Sequence, residues 1–550
     1  MATLNGSTLI AQSLKRQGVK QVFGVMGFPI VELAQVVQNE GIDYYGFRNE
    51  QSASYAAGAV GYLTGRPGVC LTVSGPGMVH AVAGLSNAWA NCWPMLLVSG
   101  APDSYQREQG AFQEAPQLES ARPYVKLATR PDALARVPAY IEKCVRTAIY
   151  GRPGAVYLDL PNDIIADTLP EGDVRWAPCC PPAPRTLADP VQVEAALAAL
   201  RGAKRPLVIV GKGAAYARAE HEVRRFIDAT GLPFLASPMG KGVVPDSHPL
   251  SVAPARSLAL QEADVVFLIG ARLNWIMHFG LPPRFAADVK IIQLDIAAEE
   301  IGTNVPAAVG LVGDAQAVMA QFNEALAAAP WRYDAATPWW AALKAKIAEN
   351  DAQVAAMMRD DSLPMGYYRV FAAIRAALPK DAVIVSEGAN TMDIGRGVMP
   401  NLAPRLRLDA GTFGTMGVGP GFAVAAAVVH PDKRVFCIEG DSAFGFSGLE
   451  VETACRYRLP ITFIVVNNNG IGSGPTELGE VVPPNAYTPN ARYDRVIEAF
   501  GGRGFFVNTP AELESALAAS ARETDRPTLI NVMINPTATR KPQKFDWLTR

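Results

Sequence analysis

Two short polar segments follow consecutive apolar runs and carry groups that could bind a metal ion. Gly440, Asp441 and Ser442 directly follow the run VFCIE, and Asn468 and Gly470 follow the run ITFIVV. Because neighbouring parallel strands end at one edge of a sheet, the segments, 27 residues apart from Asp441 to Asn468, are expected to meet there. A carboxylate, an amide oxygen and the carbonyl of Gly470 form an all-oxygen set. Such a set suits an octahedral Mg²⁺ that also binds a diphosphate.

The chain between the two segments adds a second feature. A helix is expected after Ser442, and the unpaired N–H groups of its first turn would point at the same phosphates. A plainer interpretation is also open, in which Asp441 caps a helix and the asparagines form ordinary turns. Because both segments occur together at this spacing, the metal and diphosphate site is the interpretation that we carry forward.

Strand-like and helix-like patterns alternate along the whole chain. Short runs rich in Val, Ile and Leu alternate with longer Ala-rich helical patterns, which predicts an α/β protein of doubly wound parallel sheets. Two segments share an outline, because Gly68–Gly77 and Lys433–Gly445 are each a strand followed by a small-residue turn and a helix. The predicted strands are Val69–Val73, Met95–Val98, Val156–Leu160, Leu207–Val210, Val265–Ile269, Ile291–Leu294, Ala382–Val385, Val435–Ile438, Ile461–Val466 and Thr528–Met533.

Two breaks divide this pattern. The proline-dense stretch Trp176–Pro190 cannot form a continuous helix and is expected to be a linker. A second break lies near Pro330–Pro338. We therefore expect three domains, at about residues 1–170, 190–330 and 365–540, followed by a tail at 541–550.

The composition restricts the classes of partner. Of 550 residues, 50 are Lys or Arg and 52 are Asp or Glu, so the net charge is −2 and binding to nucleic acid or a membrane surface is not expected. An anionic ligand would then need a local cluster of cations. Seven cysteines form no CxxC pair, which predicts neither a zinc site nor a disulfide framework. With no signal peptide and no apolar run of bilayer length, a cytoplasmic location is expected.

The two polar segments resemble the cofactor-anchoring signature of thiamine diphosphate enzymes, Gly-Asp-(Gly or Ser) followed by Asn-Asn. The resemblance implies that Mg²⁺ bound by Asp441, Asn468 and the carbonyl of Gly470 holds the diphosphate. It also implies that Glu50 hydrogen-bonds the aminopyrimidine and promotes formation of the thiazolium ylide, although Glu50 could simply begin a helix. The implied cofactor contacts are Glu50, Ala389, Asn390, Thr391, Gly414, Thr415, Met416, Gly440, Asp441, Ser442, Ala443, Asn468, Gly470 and Ile471.

Longer matches bring the resemblance closest to the 2-hydroxyacyl-CoA lyases, with oxalyl-CoA decarboxylases as near relatives. The matching motifs are RNEQ, SGPGMVHA, NCWPMLLVSG, GAFQE, YGRPGAVYLDLP, GARLNW, PRLRLDAGTFGTMGVG and TRKPQKFDWLTR. The implied reaction cleaves a 2-hydroxyacyl-CoA into formyl-CoA and an aldehyde or ketone, and is reversible as a condensation. Glu50, His80 and Gln113 are the implied catalytic residues. His80 could also be a helix-capping or core histidine.

The resemblance implies further contacts and an assembly. Each active site is expected to be shared between two copies in a homodimer or homotetramer, and the tail at 541–550 could close over the site as a lid. The implied contacts to the substrate and CoA are Ile30, Phe112, Arg256, Asn350, Arg396 and Arg540. Related decarboxylases hold ADP as an activator at positions that correspond to Arg152, Lys212, Arg272, Asp295 and Asp314.

Alternative functions remain open at this point. An oxalyl-CoA decarboxylase would use almost the same residues, although decarboxylases typically carry Tyr-Glu in place of Phe112-Gln113 and Asn in place of His80. An acetolactate synthase is a more distant alternative. A catalytically silent nucleotide-binding protein on this fold is another, and the presence of Glu50, Asp441 and Asn468 argues against it. Gly472 stands where these families commonly have an aromatic residue, which predicts a roomier pocket.

Overall fold

Three parallel β-sheets follow one another along the chain in the computed structural model, which describes residues 2–541. Helices connect successive strands of each sheet. The predicted α/β class with three parallel-sheet domains is therefore confirmed. Among residues 2–541, no helix is both long enough and apolar enough to cross a membrane.

The first sheet is accompanied by a short antiparallel ribbon. The strands are β1 (Thr3–Asn5), β2 (Gln21–Gly24), β3 (Asp43–Gly46), β4 (Gly68–Thr72), β5 (Met95–Ala101), β6 (Ala128–Thr129), β7 (Ala155–Pro161) and β8 (Thr168–Pro170). The helices are α1 (Gly6–Arg16), α2 (Val31–Asn39), α3 (Glu50–Thr64), α4 (Pro76–Asn91), α5 (Gln117–Ala121), α6 (Val137–Ile149) and α7 (Asn162–Ala166). Six strands pair in parallel in the order β3-β2-β4-β5-β7-β6, whereas β1 and β8 form the ribbon.

The middle sheet is smaller. Its strands are β9 (Pro206–Val210), β10 (Phe234–Ala236), β11 (Val265–Ile269), β12 (Lys290–Asp295) and β13 (Ala307–Val312). Its helices are α8 (Pro190–Gly202), α9 (Lys212–Tyr216), α10 (Glu220–Thr230), α11 (Arg256–Glu262) and α12 (Ala315–Ala328). The strands pair in parallel in the order β10-β9-β11-β12-β13.

Two helices lead into the third sheet. The helices of this region are α13 (Pro338–Met358), α14 (Tyr367–Ala377), α15 (Ala389–Val398), α16 (Gly419–Val429), α17 (Asp441–Ser447), α18 (Val451–Arg456), α19 (Asp494–Glu498) and α20 (Pro510–Ala521). The strands are β14 (Val383–Ser386), β15 (Arg407–Asp409), β16 (Val435–Gly440), β17 (Ile461–Asn467), β18 (Arg503–Val507) and β19 (Thr528–Met533). They pair in parallel in the order β15-β14-β16-β17-β19-β18.

The first and third sheets have the same topology. Numbered along the chain within each sheet, the strands of both lie in the order 2-1-3-4-6-5. The strands β4 and β16, which begin the two segments of shared outline in the sequence, occupy the same place in this order. The strand order changes direction between β2 and β4 in the first sheet and between β14 and β16 in the third sheet. Ligands of α/β proteins bind at the carboxyl ends of the strands at such points.

Equivalent helices of these two regions pack against each other. Along the chain, α3 and α16 each connect the second strand of their sheet to the third, and the two helices cross closely. A Cβ on Gly421 would lie 2.6 Å from the carbonyl oxygen of Ser52, which is closer than carbon and oxygen can approach. The ring centroids of Tyr55 and Phe422 are 6.4 Å apart beside this crossing. The crossing joins the first and third sheets through one continuous core.

The predicted strands all occur, with ends shifted by at most a few residues. Val265–Ile269 and Thr528–Met533 keep the predicted ends, whereas Met95–Val98 extends to Ala101. Residues 174–189 form neither helix nor strand. The strands that the sequence did not predict are mainly short or lie at sheet edges, such as β10 and β15.

Candidate active site

The segments at the carboxyl ends of β14, β16 and β17 meet at one edge of the third sheet. They carry three groups of predicted cofactor contacts, Ala389–Thr391, Gly440–Ala443 and Asn468–Ile471. Backbone N–H groups of Asn469 and Gly470 lie close enough to the Asp441 carboxyl group to lower its pKa. A Cβ on Gly440 would lie 3.5 Å from Oγ1 of Thr391. The three segments, distant in the sequence, therefore lie side by side.

Asp441 has the features of a cation ligand. It is 2% exposed, and burial raises the pKa of its carboxyl group to about 7 even though backbone N–H groups donate to it. Its Oδ2 has no hydrogen-bond partner, and an unpartnered buried carboxylate oxygen fits a bound cation. Among residues 2–541, no group of three His, Cys, Asp or Glu side chains could hold a metal. A site here must therefore draw on neutral oxygens, such as those of Asn468 and Gly470.

The loop Gly414–Met416 is held from two sides. Glu387 is fully buried and accepts hydrogen bonds from the backbone just after this loop, including the N–H of Gly419 at 2.6 Å. On the other side, Nδ2 of Asn87 donates to Oγ1 of Thr415 at 2.9 Å. The loop is thus fixed between the third sheet and helix α4 of the first region.

Two buried carboxyl groups lie beneath this loop. Oε2 of Glu387 and Oε2 of Glu439 would lie 2.9 and 2.7 Å from a Cβ on Gly419. Burial, and then the neighbouring Glu439, raise the pKa of Glu387 well above its ordinary value. Burial raises the pKa of Glu439 to about 7. Sequence reasoning missed both residues, although an acid inside or just after an apolar strand was the available signal.

Glu50 and His80 form a hydrogen-bonded pair in the first region. Glu50 is the first residue of α3, so it does begin a helix, as its plainer interpretation expects. Its Oε2 lies 3.0 Å from Nδ1 of His80, and the two side chains are 13% and 56% exposed. His80 is therefore not a core histidine. A Cβ on Gly77 would lie 3.1 Å from Oε1 of Glu50, which places the start of α4 against this carboxylate.

Gln113 faces the loop that precedes α4. Its Oε1 accepts a hydrogen bond of 3.4 Å from Oγ of Ser74. The neighbouring Phe112 is 67% exposed and packs edge-on against Phe28, with ring centroids 6.1 Å apart. Ile30 is fully buried in the core beneath this surface. Its contact with the substrate stays a prediction.

A buried polar network supports the same loop. Gln117 is 2% exposed, and its Oε1 accepts a hydrogen bond of 2.6 Å from the N–H of Gly75, the residue that precedes α4. Its Nε2 donates to Oδ1 of Asp159 at 2.5 Å. Asp159 is fully buried and forms an ion pair with Arg130. Because a carboxylate can only accept, Asp159 fixes the Gln117 amide with its oxygen towards Gly75.

The residues predicted to bind CoA come from distant parts of the chain and lie together. Asp393 accepts hydrogen bonds from Arg396 at 3.0 Å and from Arg540 at 2.7 Å. Asn350 donates to the carbonyl of Pro254 at 2.8 Å and accepts from Nζ of Lys541 at 2.8 Å. The predicted lid falls mostly on residues 542–550, which lie outside the described residues.

Arg256 extends this group of cations. Burial, followed by the charges of Arg284 and Arg396, lowers its pKa to about 10. Sequence reasoning missed Arg284, which is 3% exposed, and His278, which is 9% exposed. Burial, followed by Arg256 and Arg284, lowers the pKa of His278 to about 4, so its imidazole is neutral. Cations outnumber acids in this cluster, which fits a polyanionic ligand.

The five predicted nucleotide contacts all line one cavity of about 430 Å³ at the middle sheet. Lys212 donates to Oδ1 of Asn91 at 2.7 Å and to Oγ1 of Thr412 at 3.2 Å. Arg152 bonds Asp295 at 3.3 Å. The predicted residues on its wall are Arg152, Lys212, Arg272, Asp295 and Asp314. Thr412 also belongs to the segment that leads into the loop Gly414–Met416, so the cavity borders the cofactor region.

Gly472 lies in open space near the candidate metal ligands. A Cβ there would meet no atom within 4 Å, and the expected roomier pocket stays a prediction. Its φ of +78° is a conformation that residues with side chains rarely adopt. An aromatic side chain at this position would therefore require the backbone to change as well.

Protein-family models match three parts of the chain. The N-terminal TPP binding domain of thiamine pyrophosphate enzymes matches residues 4–120, the central domain matches residues 193–322 and the C-terminal TPP binding domain matches residues 386–532. The matched ranges include the Glu50 and Asp441 regions.

Curated relatives match along the whole chain. The chain is 52% identical to 2-hydroxyacyl-CoA lyase 1 of Mus musculus, over 100% of this chain and 97% of the relative. It is 45% identical to 2-hydroxyacyl-CoA lyase of Oryza sativa subsp. japonica, over 97% and 96% of the two chains. It is 42% identical to oxalyl-CoA decarboxylase of Escherichia coli (strain K12), over 97% and 95%.

Proposed function

Because the chain belongs to the thiamine pyrophosphate enzymes, in the group of 2-hydroxyacyl-CoA lyases and oxalyl-CoA decarboxylases, we propose that it is a 2-hydroxyacyl-CoA lyase. It cleaves a 2-hydroxyacyl-CoA into formyl-CoA and an aldehyde or ketone, and the reverse reaction condenses formyl-CoA with a carbonyl compound. The observation that carries this proposal is the 52% identity to a lyase over the full chain, against 42% to a decarboxylase. Phe112, Gln113 and His80 favour the same choice.

The chain would hold both ends of the thiamine diphosphate molecule, its diphosphate and its aminopyrimidine. When bound, this cofactor supplies a nucleophilic carbon and an electron sink for the broken carbon–carbon bond. Asp441, Asn468 and the carbonyl of Gly470 would bind Mg²⁺ at the diphosphate end, and the unpartnered Oδ2 of Asp441 supports this. Glu50 would hydrogen-bond the ring nitrogen of the aminopyrimidine, and Met416 would support the bend between the rings.

Two further residues would act on the substrate. Nδ1 of His80 faces Glu50, so Nε2 is the nitrogen left to accept the proton of the substrate hydroxyl group as the aldehyde departs. The amide of Gln113 would orient the thioester carbonyl. The exposure of His80 and the packing of Phe112 against Phe28 support a substrate surface here.

The CoA part of the substrate would bind at the cation cluster. Arg256, Arg396 and Arg540 carry charges that match its phosphates, and Asn350 lies beside them. Arg284 extends the same cluster inward, beside the neutral imidazole of His278. This placement explains how a chain with a net charge of −2 could bind a polyanion.

Each active site would be shared between two copies in a homodimer or homotetramer. Among the described residues, the side chain of Glu50 makes a hydrogen bond to His80 and none to the loops of the diphosphate end. Exposed apolar residues lie on the elements that carry each half of the site, namely Val79 and Trp89 on α4 and Phe446 and Leu449 around α17. Such a surface supports contact with a second copy.

Three finer assignments belong to the same proposal. ADP would occupy the middle cavity, where cations and carboxylates of the predicted set line one wall. The domains would extend over residues 1–170, 190–330 and 365–540, with a tail at 541–550. The compartment would be the cytoplasm, which the seven free cysteines support.

The test compares two substrates. The protein, supplied with thiamine diphosphate and Mg²⁺, is incubated separately with a 2-hydroxyacyl-CoA and with oxalyl-CoA. We expect aldehyde and formyl-CoA from the first and little CO₂ from the second. Release of CO₂ alone would identify a decarboxylase instead, and neither product with the cofactor bound would identify a catalytically silent protein.

A further inference from the structure

A carboxylate from the third region holds the backbone that leads into Glu50. Oε1 of Glu450 accepts hydrogen bonds from the N–H of Arg48 at 3.2 Å and from the N–H of Asn49 at 3.1 Å. Glu450 is 1% exposed, and its Oε2 accepts a hydrogen bond of 2.7 Å from Oγ1 of Thr453. The carboxylate is therefore buried and fixed at both oxygens.

The segment around Glu450 binds the same loop at further points. The hydroxyl of Tyr457 accepts a hydrogen bond of 2.7 Å from the N–H of Gly46. Arg456 donates to the carbonyl of Gly46 at 2.7 Å. Asn49 in turn caps α3, because its Oδ1 accepts a hydrogen bond from the N–H of Gln51 at 2.7 Å. Glu450 thus acts on the residue that fixes where α3, and with it Glu50, begins.

We propose that Glu450 is a positioning residue for Glu50, which sets the direction of the Glu50 carboxyl group towards the aminopyrimidine of the cofactor. The inference rests on the function proposed for Glu50. Without the Glu450 carboxylate, two N–H groups of this loop lose their acceptor and the start of α3 can shift. A displacement of about 1 Å at a reacting group can cost a rate of about 10²-fold.

The experiment uses the full chain with two substitutions, Glu450→Ala and Glu450→Gln. The control is Glu523→Gln, because Glu523 also lies in the third region and bonds Arg503 and Arg526 at 2.8 Å, but does not touch the loop before α3. Glu450→Gln keeps one acceptor oxygen, so its effects should be smaller than those of Glu450→Ala. It also keeps the test usable if the alanine variant fails to fold.

The first measurement needs no cofactor. Hydrogen–deuterium exchange of the peptide that contains residues 46–51 should become faster in both Glu450 variants and stay unchanged in the control. The second measurement is deuterium exchange at C2 of bound thiamine diphosphate, which should slow by about 10²-fold in Glu450→Ala. The affinity for thiamine diphosphate with Mg²⁺ should stay unchanged, because its diphosphate end is held elsewhere.

A double variant separates positioning from a general structural effect. In a Glu50→Gln background, Glu450→Ala should slow C2 exchange no further, whereas an independent effect would add to the loss. If folded Glu450 variants show the wild-type rate of deuterium exchange at C2 of the bound cofactor, the inference is overturned while the role of Glu50 stays intact. If Glu50→Gln itself does not slow C2 exchange, the proposed role of Glu50 fails first.

Discussion

Nδ1 of His80 lies 3.0 Å from Oε2 of Glu50, so two residues with different expected tasks share one hydrogen bond. Glu50 is expected to serve the cofactor and His80 the substrate. The shared bond sets the imidazole so that Nε2 remains for the substrate hydroxyl group. A change at His80 therefore has to be followed with two readouts, one for the substrate step and one for the cofactor step.

Replacement of His80 by alanine should separate the two tasks. We expect kcat for cleavage of a 2-hydroxyacyl-CoA to fall by about 10²-fold, because a positioned general base is lost. Deuterium exchange at C2 of the bound cofactor should stay near the wild-type rate, since Glu50 is retained. Steady-state kinetics and the exchange rate are measured on the same preparation. Full cleavage activity in His80→Ala would exclude this role.

Mixing two inactive variants should restore activity if active sites are shared between copies. Glu50→Gln would lack the proposed aminopyrimidine contact, and Asp441→Asn would lack the carboxylate proposed to bind the metal. In a hybrid dimer one site carries both substitutions and the other carries neither. We therefore expect activity to return when the two are dissociated, mixed and reassembled, as measured by aldehyde release. Reassembly of each variant alone is the control, and hybrids without activity would contradict shared sites.

Replacement of Gln117 by methionine should lower kcat through the loop that carries Gly75. The substitution leaves buried Asp159 with one donor fewer, which costs about 1–3 kcal/mol of unfolding free energy. It also releases the start of α4, which bears His80. The matched control is Gln321→Met, because Gln321 bonds the backbone of Ala188 at 3.0 and 3.1 Å. The control should lose stability without losing kcat; equal kcat losses in both would argue against a local effect.

Nucleotide binding in the middle cavity should depend on pH through Lys212. Burial, and then the neighbouring Arg272, lower its pKa to about 7, so this amine is mostly neutral at pH 8. Cys92 and Asp409 also face it, and both favour the charged form. The phosphates of ADP would stabilise the ammonium form and raise this pKa, so binding takes up protons and weakens as pH rises through about 7.

Calorimetry with ADP in buffers of different ionisation enthalpy measures this uptake at pH 8. Lys212→Met should abolish the uptake and weaken binding. Tight binding of ADP by wild-type protein with no proton uptake would contradict the assigned role of Lys212.

Substitution of Gly472 should change the backbone conformation as well as the size of the proposed pocket. The φ of +78° tolerates asparagine better than other residues with side chains. Gly472→Asn should therefore keep metal-dependent cofactor binding, while Gly472→Tyr should narrow the range of acyl groups and lower the melting temperature. The profile across short and long acyl groups measures the first effect. An unchanged profile in a folded Gly472→Tyr protein would show that the pocket lies elsewhere.

The sequence was most informative where a residue type is rare in its local pattern. A run such as VVFLI predicts a buried parallel strand, and an acid and asparagines directly after such runs predict polar groups at one sheet edge. The convergence of Asp441 and Asn468 could therefore be expected. Edge strands such as β10 and β15 could not, because three-residue pairings leave no periodic pattern.

The supporting residues of the site were beyond sequence reasoning for a different reason. Gln117, Glu387 and Glu450 act through contacts with residues that are far from them along the chain. Nothing in the segments of Gln117 and Glu450 distinguishes these two from surface polar residues, whereas Glu387 directly follows the apolar strand β14.

The close crossing of α3 and α16 has a mechanical consequence. Because Gly421 brings backbone against backbone, no side chain at this point can yield by changing its rotamer. The crossing therefore acts as a stiff pivot, and Glu50 stands only two residues from Ser52 at that pivot. With so short a lever arm, a small tilt of α16 moves the Glu50 carboxyl group very little. The contact proposed between Glu50 and the aminopyrimidine should therefore change little when α16 tilts.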